Sequence, residues 1–533
     1  MPMLELVVAL VLAAAGLAGL ARALRVHYAI LLVLGGLALG LIPGVPAPRV
    51  EPDVIFFVFL PPLIYAAAYR SSPQDLRANL GPIARLSIGL VLATMAAVAA
   101  VAHVVAGIGW GPAIVLGAIL GPTDPVAATS VLRRVGAPDR ISTILEGESL
   151  VNDGTGLTVY KLAVAAVGTG AFSLASSLSN FALALCGVGI GLFAGAVSAE
   201  IRRRIDEPPI EVSISLLTAY LAYIPAERIG SSGILAVVAA GLYTGRRSPA
   251  ILSAPSRLQM LGFWDVMTFL LESVLFLLIG LQLPHITAGL GDGIGMLLLQ
   301  SLAVVAAVIG VRIGWMFAVP LVLRLLGVRV RGPAAPPSSR EQAEARRAEL
   351  LLLGWSGMRG AVSLAAALAV PLAAGAHSFP ARDAVIFIAY MTIIGTLVLA
   401  GVSLPWLVRG LGIAEGEELA RAEAKARMHL AHAALKRIEE AAEQHDLPDG
   451  AIAQLRARYE SRLHRLSPQV HGDRDGHGGD ESEIAWRLRE LHRELIGTER
   501  SELRKMRRAS RITAEAAKRI ERDLDLEESR IAA

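Results

Sequence analysis

The chain has 533 residues, of which 54% are hydrophobic and only 18% are charged, and its mean hydropathy is +0.56. A soluble protein of this length is less apolar and more charged, so the composition indicates an integral membrane protein. The net charge of +4 is too small to indicate nucleic-acid binding. The single cysteine excludes an internal disulfide.

Thirteen apolar segments are long enough to cross a bilayer, for which a helix needs roughly 20 mainly apolar residues. They cover about 3–21, 27–43, 53–69, 80–107, 111–132, 141–167, 175–199, 210–226, 230–245, 260–283, 294–324, 350–372 and 382–408. Arginines are concentrated in alternate connecting loops. By the positive-inside rule, this pattern predicts a multi-pass protein of the inner (cell) membrane with its N-terminus outside and its C-terminus in the cytoplasm.

The fifth and twelfth segments contain helix-breaking residues. In "LGPTDPVAATSVL" (120–132), prolines flank Thr123 and Asp124, and in "LGWSGMRGAVSL" (353–364), three glycines surround Arg359. These segments are seven apart, which favours an all-α fold of two inverted six-helix repeats with discontinuous helices that cross. Asp124 and Arg359 would neutralise the exposed helix ends. Whether Asp124 also touches an ion is left open.

The sixth segment contains "EGESLVNDGT", a polar stretch between apolar runs. On a helix Ser149, Asn152 and Asp153 share one face and offer a hydroxyl, an amide oxygen and a carboxylate. Such hard oxygen ligands suit a small hard cation. If the fifth segment crosses here, Thr123 and Asp124 complete a site for such a cation, where Asp153 holds either the cation or a proton. The alternative is a structural Asp153 satisfied by neighbouring hydrogen bonds.

Two further acidic residues at membrane depth require an explanation. Glu148 requires a basic partner because a lone buried charge costs several kcal/mol, and the candidates are Arg312 and Arg359. The sequence predicts a structural ion pair without choosing between the two arginines. Glu272 is expected either to form a structural pair or to attract cations as part of a funnel.

Charged residues are also concentrated at the C-terminal end. Residues 413–533 hold 25 acidic and 23 basic side chains, which is half of all the charged residues in the chain. The sequence therefore predicts a transmembrane domain over 1–412 and a cytoplasmic helical domain over 413–533. Stretches 413–446 and 484–526 are rich in Ala, Leu, Glu and Arg, a composition typical of amphipathic helices.

Five motifs resemble those of the monovalent cation:proton antiporter-1 family, the sodium/proton exchangers, in its bacterial form. They are "FLPPLIY" (59–65), "GPTDPVA" (121–127), "EGESLVNDGTGL" (146–157), "FLLIGLQL" (276–283) and "GWSGMRGAVSLA" (354–365). They occur in the order found in the family and extend over most of residues 1–412.

The resemblance implies a thirteen-span inverted-repeat fold, a homodimer and an elevator-like movement of a core domain. It assigns the ion site to Thr123, Asp124, Ser149, Asn152 and Asp153. The neighbouring Asn and Asp resemble the electroneutral type, which implies one proton per cation. The family's Glu–Arg pair corresponds to Glu148 with Arg359 or Arg312.

The chain departs from the family at one position. Many members carry an acidic residue after the "LPPLLF"-like motif, whereas here "LPPLIY" is followed by three alanines, 66–68. The departure bears on ion preference and pH dependence rather than on the exchange reaction.

The leading functional hypothesis is exchange of Na⁺, or Li⁺, for H⁺ in pH and sodium homeostasis, by a protein in contact with membrane lipid. The alternatives are K⁺/H⁺ exchange by the same fold and, less favoured, a cation channel. No Ser/His or metal-ligand arrangement that would indicate a membrane enzyme is found at membrane depth. The sequence predicts no cofactor, and a receptor or scaffold would leave the polar cluster around Asp153 unexplained.

Overall fold

The computed structural model describes most of the chain. The described residues are 3–24, 28–42, 56–125, 128–129, 132, 137–169, 174–288, 294–325, 340–374, 377–411, 416–444, 449–471 and a few positions from 495 onward. The chain divides into two compact units, Met1–Glu415 and Gly416–Ala533.

The first unit is helical. Its N-terminal half contains α1 (Met3–Leu24), α2 (Tyr28–Gly40), α3 (Leu60–Arg70), α4 (Pro73–Ala78), α5 (Leu80–Ala84), a π-helical turn (Arg85–Leu90), α6 (Val91–Ala106), α7 (Trp110–Leu120) and α8 (Asp139–Thr169). Its C-terminal half contains α9 (Leu174–Arg202), α10 (Pro208–Arg228), α11 (Gly233–Ile251), α12 (Ala254–Ala288), α13 (Ile294–Leu325), α14 (Arg340–Trp355), α15 (Ala361–Leu368) and α16 (Arg382–Leu411).

Two short strands interrupt the helical pattern. β1 (Ala373–Ala374) pairs with β2 (His377–Ser378) in an antiparallel register. In the second unit, α17 (Gly416–Gln444) coincides with the first predicted tail helix, and α18 (Asp449–His471) follows it. The second predicted tail helix, 484–526, lies largely outside the described residues.

The predicted all-helical membrane fold is confirmed. Within the described ranges, six helices are long and apolar enough to cross a membrane, and four shorter helices are also apolar. The six cover Leu80–Ala106, Leu183–Arg202, Pro208–Arg228, Ala254–Pro284, Ile294–Leu323 and Arg382–Leu411. Every one of the thirteen predicted segments overlaps a helix, while the number of crossings stays a prediction.

The helices of the first unit form two groups by their packing. The first helix group consists of α1–α3 and α9–α12, and the second consists of α5–α8 and α13–α16. Within each group the helices pack extensively on one another, and fewer contacts join the two groups. The seam between the groups is where the polar residues predicted from the sequence come together.

Glycines allow very close helix contact in the first helix group. Gly187, Gly191 and Gly195 lie one turn apart on α9, and a Cβ added at Gly191 would lie 1.9 Å from the carbonyl oxygen of Ala236 on α11. Small residues at this spacing let two helix backbones approach, which replaces the hydrophobic driving force that is absent in lipid. This stripe explains why α9 and α11 pack so tightly.

Candidate ion-binding site

Both predicted helix interruptions are present, and the interrupted segments lie against each other. Helix α7 ends at Leu120 and is followed by non-helical residues 123–125, whereas residues 357–360 separate α14 from α15. The backbone N–H of Asp124 donates to the carbonyl of Met358 at 2.9 Å. The two segments are therefore joined through their backbones where they meet.

Asp124 lies at the N-terminal end of α15. Its Oδ2 accepts a hydrogen bond from the backbone N–H of Ala361 at 3.3 Å. A carboxylate is favourable here because the free N–H groups give a helix N-terminus a partial positive charge. Gly360 makes this approach possible, since a Cβ at that position would lie 1.8 Å from Asp124 Oδ2.

Arg359 lies at the C-terminal end of α7. Its guanidinium is buried, and its Nε donates to the carbonyl of Leu120 at 3.0 Å. Its Nη1 donates to the carbonyl of Gly357 at 2.6 Å. A cation at this end neutralises the partial negative charge of unpaired carbonyl groups. Asp124 and Arg359 thus occupy the helix ends where the sequence places them.

Glu148 forms its ion pair with Arg312 on α13. The two salt-bridge contacts are 2.5 Å from Nη1 to Oε1 and 2.8 Å from Nη2 to Oε2, and both side chains are almost fully buried. Arg312 Nε also donates to the carbonyl of Leu353 at 3.0 Å. Of the two arginines that the sequence left open, the structure pairs Glu148 with Arg312.

Thr123 and Asn152 connect this ion pair to the interrupted segment. Thr123 donates through its hydroxyl to Glu148 Oε1 at 2.8 Å. Asn152 Nδ2 donates to the Thr123 hydroxyl at 3.0 Å and to its carbonyl at 3.2 Å. Asn152 is fully buried, and its Oδ1 has no hydrogen-bond partner in the described part of the chain. The amide is therefore held in one orientation by Thr123, and Asn152 is the one predicted ligand that does not line the cavity described below.

Asp153 differs from the other two acids because it is buried without a partner. Its side chain is only 8% exposed, and no hydrogen bond or ion pair joins it to any described residue. Asp153 and Ser149 both line a cavity of about 530 Å³ at the seam between the helix groups. Thr123 and Asp124 line the same cavity, so four of the five predicted ligands face one space.

The cavity is strongly acidic. Five carboxylates line it, from Asp124, Glu146, Asp153, Asp265 and Glu272. Arg70 is the one basic residue among the described lining residues, and it forms a 2.8 Å salt bridge with Asp265. The excess of negative charge attracts cations and excludes anions.

The arrangement differs from a resident metal centre. Within the described ranges, no group of three His, Cys, Asp or Glu side chains is placed to hold a metal ion. The residues that line the cavity instead offer several hydroxyl groups, the backbone of an interrupted helix and separate carboxylates. Hard oxygen ligands of this mixed kind suit a small alkali cation that binds and leaves.

Sequence reasoning missed the partner of Glu272. The hydroxyl of Tyr28, at the start of α2, donates to Glu272 Oε2 at 2.6 Å. Nothing in the sequence pattern links these residues, which lie 244 positions apart. Within the described residues no salt bridge to Glu272 is found, and the two roles that the sequence left open, a structural pair or a cation funnel, stay predictions.

Interrupted helices that meet beside a buried, unpartnered carboxylate, in an all-helical membrane bundle, define an ion-coupled secondary transporter. The family model described as "Sodium/hydrogen exchanger, transmembrane" matches residues 7–410. The chain therefore belongs to the sodium/hydrogen exchanger family, as its motifs predict.

Similar proteins agree with this assignment. The chain is 36% identical over 466 residues to an uncharacterized Na⁺/H⁺ exchanger of Mycobacterium tuberculosis, covering 86% of this chain and 84% of that protein. It is 31% identical over 449 residues to the low-affinity Na⁺/H⁺ antiporter NhaS1 of Synechocystis, covering 82% and 79%. The sodium proton antiporter MjNhaP1 of Methanocaldococcus jannaschii has the same fold, with a TM-score of 0.61, 21% identity, and coverage of 77% and 98%.

Proposed function

We propose that this protein exchanges Na⁺ for H⁺ at Asp153. The observation that carries the proposal is a carboxylate that is buried, has no partner among the described residues and faces an acidic cavity. A carboxylate binds a cation in its deprotonated form, so cation binding displaces a proton and protonation displaces the cation. Alternate occupancy of one side chain by either ion couples the two fluxes.

The surrounding ligands complete this proposed site. Ser149 supplies a hydroxyl one turn before Asp153, and Thr123 supplies oxygen from the interrupted segment. Asn152 is fixed by two hydrogen bonds to Thr123 and keeps a free Oδ1. Asp124 contributes negative charge while bound to the end of α15. Together these groups replace part of the hydration shell of a small cation.

The proposed stoichiometry is one proton for one cation. Glu148 is neutralised by Arg312, and Asp124 accepts a backbone N–H at a helix end. Asp153 is left as the acid that can change its proton occupancy during transport. Since Asn152 carries no charge in either state, each cycle moves one positive charge in each direction.

The cellular role follows from this chemistry. Inward proton flow would drive extrusion of Na⁺ across the cell membrane and so support pH and sodium homeostasis. The predicted orientation has the N-terminus outside and the C-terminus in the cytoplasm, with lipid around the first unit. We propose a homodimer as the working state, which crosslinking in native membranes tests.

The decisive experiment measures proton movement in proteoliposomes. Purified protein is reconstituted with a pH-sensitive dye, and Na⁺, Li⁺ or K⁺ is added on one side. Asp153→Asn should abolish cation-driven proton flux while the protein remains folded. Asp383→Asn is the matched control, because Asp383 has a side chain that is 67% exposed and lies outside the cavity.

Three outcomes would change the proposal. Normal flux in Asp153→Asn would remove that residue from its role. A K⁺ response larger than the Na⁺ response would favour the K⁺/H⁺ alternative, to which the alanine at position 66 in the cavity wall is relevant. An imposed membrane voltage should leave the end point of exchange unchanged, and a voltage-dependent end point would reject the one-for-one stoichiometry.

A further inference from the structure

Glu272 lies in the wall of the cavity that faces the proposed ion site. It belongs to α12 of the first helix group, whereas Asp153 belongs to α8 of the second. Both side chains line the same cavity. Glu272 also lies well inside Ala254–Pro284, a helix apolar and long enough to cross the membrane. A carboxylate at this depth is costly, so its presence requires an explanation.

Packing alone does not supply that explanation. The hydrogen bond from Tyr28 satisfies one oxygen of Glu272 at 2.6 Å, but no described basic residue pairs with the carboxylate. The nearest lining base, Arg70, is engaged with Asp265 at 2.8 Å. A glutamine at this position would keep an oxygen that accepts the tyrosine hydroxyl, although a carboxylate accepts it more strongly. Within the described residues, the contact that the structure gives Glu272 is thus a hydrogen bond rather than a salt bridge.

The charge does have a natural counterpart in the transported ion. Asp153, buried to more than nine-tenths and unpartnered in the described chain, faces the same space as Glu272. Asp124 and Glu272 line the same cavity, so their negative charges repel each other. A cation that enters the cavity lowers this repulsion and interacts with both walls. Because the two acids belong to opposite helix groups, a cation that enters the cavity can contact one carboxylate before the other.

We propose that Glu272, oriented by Tyr28, is a second cation-binding position that captures Na⁺ in the cavity before it reaches Asp153. The inference rests on the proposed function of Asp153 and extends it to the opposite helix group. Because Glu272 stands outside the group that carries Asp153, it sets the apparent affinity for the cation without taking part in the proton exchange. Glu272 thus determines how readily the cavity captures a cation. The alanines at residues 66–68 contribute no acidic side chain to this role.

The test compares Glu272→Gln, which removes the charge and keeps the acceptor for Tyr28, with Glu272→Asp, which keeps the charge. In proteoliposomes, Glu272→Gln should raise the half-saturating Na⁺ concentration about tenfold, the scale of one partly screened charge interaction. Its maximal rate should stay within about twofold of the wild type, and Glu272→Asp should recover most of the affinity. Glu200→Gln, which removes an exposed carboxylate outside the cavity, should leave affinity unchanged.

Several results would overturn the inference. An unchanged half-saturating Na⁺ concentration in Glu272→Gln would show that the charge does not act on the ion. A fall in maximal rate shared by Glu272→Gln and Glu272→Asp, together with lower thermal stability, would indicate a structural role. If Glu272→Gln fails to fold, Tyr28→Phe separates the capture role of Glu272 from a structural role. This variant removes the hydrogen bond but keeps the carboxylate, so it should keep the affinity for Na⁺ within about threefold of the wild type.

Failure of the capture role of Glu272 can be distinguished from failure of the proposed function. If Asp153→Asn retains exchange, the proposed function itself is wrong, whatever Glu272 does. If Asp153→Asn is inactive and Glu272→Gln binds Na⁺ normally, the exchange site stands and only the capture position is rejected.

Discussion

Breaking the buried ion pair between Glu148 and Arg312 should destabilise the protein strongly. Both side chains are no more than 2% exposed, so Glu148→Gln leaves a guanidinium buried without its counter-charge. Removing one partner of such a pair costs roughly 3–5 kcal/mol. Arg312 keeps its hydrogen bond to the carbonyl of Leu353, and that neutral contact offsets only a small part of the loss.

The measurement is equilibrium unfolding in mixed detergent and SDS micelles. A matched comparison is Arg140→Gln, which breaks the pair with Glu349, whose side chains are 33% and 24% exposed. A partly exposed pair contributes about 1 kcal/mol or less, so this variant should lie close to the wild type. The double variant Glu148→Leu with Arg312→Met should recover most of the stability, because an apolar replacement leaves no unpaired charge.

Equal losses in Glu148→Gln and Arg140→Gln would refute this reasoning. So would a double variant that is less stable than either of its single substitutions, because the two side chains would then contribute separately rather than as a pair. A second readout is transport, since Thr123 donates to Glu148 Oε1 and also orients Asn152. Glu148→Gln keeps an acceptor for Thr123, so transport by the folded fraction should fall by less than tenfold.

Three further outcomes follow from the geometry. Gly360→Ala should reduce exchange at least tenfold in a folded protein, because its Cβ would displace the carboxylate of Asp124; wild-type rates would show that the contact is dispensable. Gly191→Val should lower the free energy of unfolding by several kcal/mol, because the Cβ of the valine would overlap the carbonyl oxygen of Ala236. An unchanged unfolding curve would contradict this. Protons and Na⁺ compete for the carboxylate of Asp153. Below the pH at which Asp153 titrates, each fall of one pH unit should therefore raise the half-saturating Na⁺ concentration about tenfold. A half-saturating concentration that does not change with pH would reject this competition.

The helix interruptions and the cluster on α8 are predictable because they depend on local chemistry. Prolines and glycines disrupt a helix wherever it packs, and the spacing of Ser149 and Asp153 places them on one face in any α-helix. The orientation of Asn152 is not local. Its amide is turned by the backbone and hydroxyl of Thr123, which belong to a segment that leaves no periodic signal.

The pairing of distant charges lies beyond sequence reasoning for the same physical reason. Arg312 and Arg359 are both suitable partners for Glu148 by depth and charge, and only the packing of α13 against α14 and α8 selects Arg312. Tyr28 likewise reaches Glu272 because α2 packs closely on α12, where a Cβ at Gly280 would lie 2.0 Å from the carbonyl of Val33.

The reciprocal contacts of the interrupted helices have a mechanical consequence. The end of α7 is completed by Arg359 from the other segment, and the start of α15 is completed by Asp124. Neither segment can slide away without exposing two bare helix termini to a low-dielectric interior. We therefore expect the two interrupted segments to move together, as one rigid body, in any conformational change of the protein.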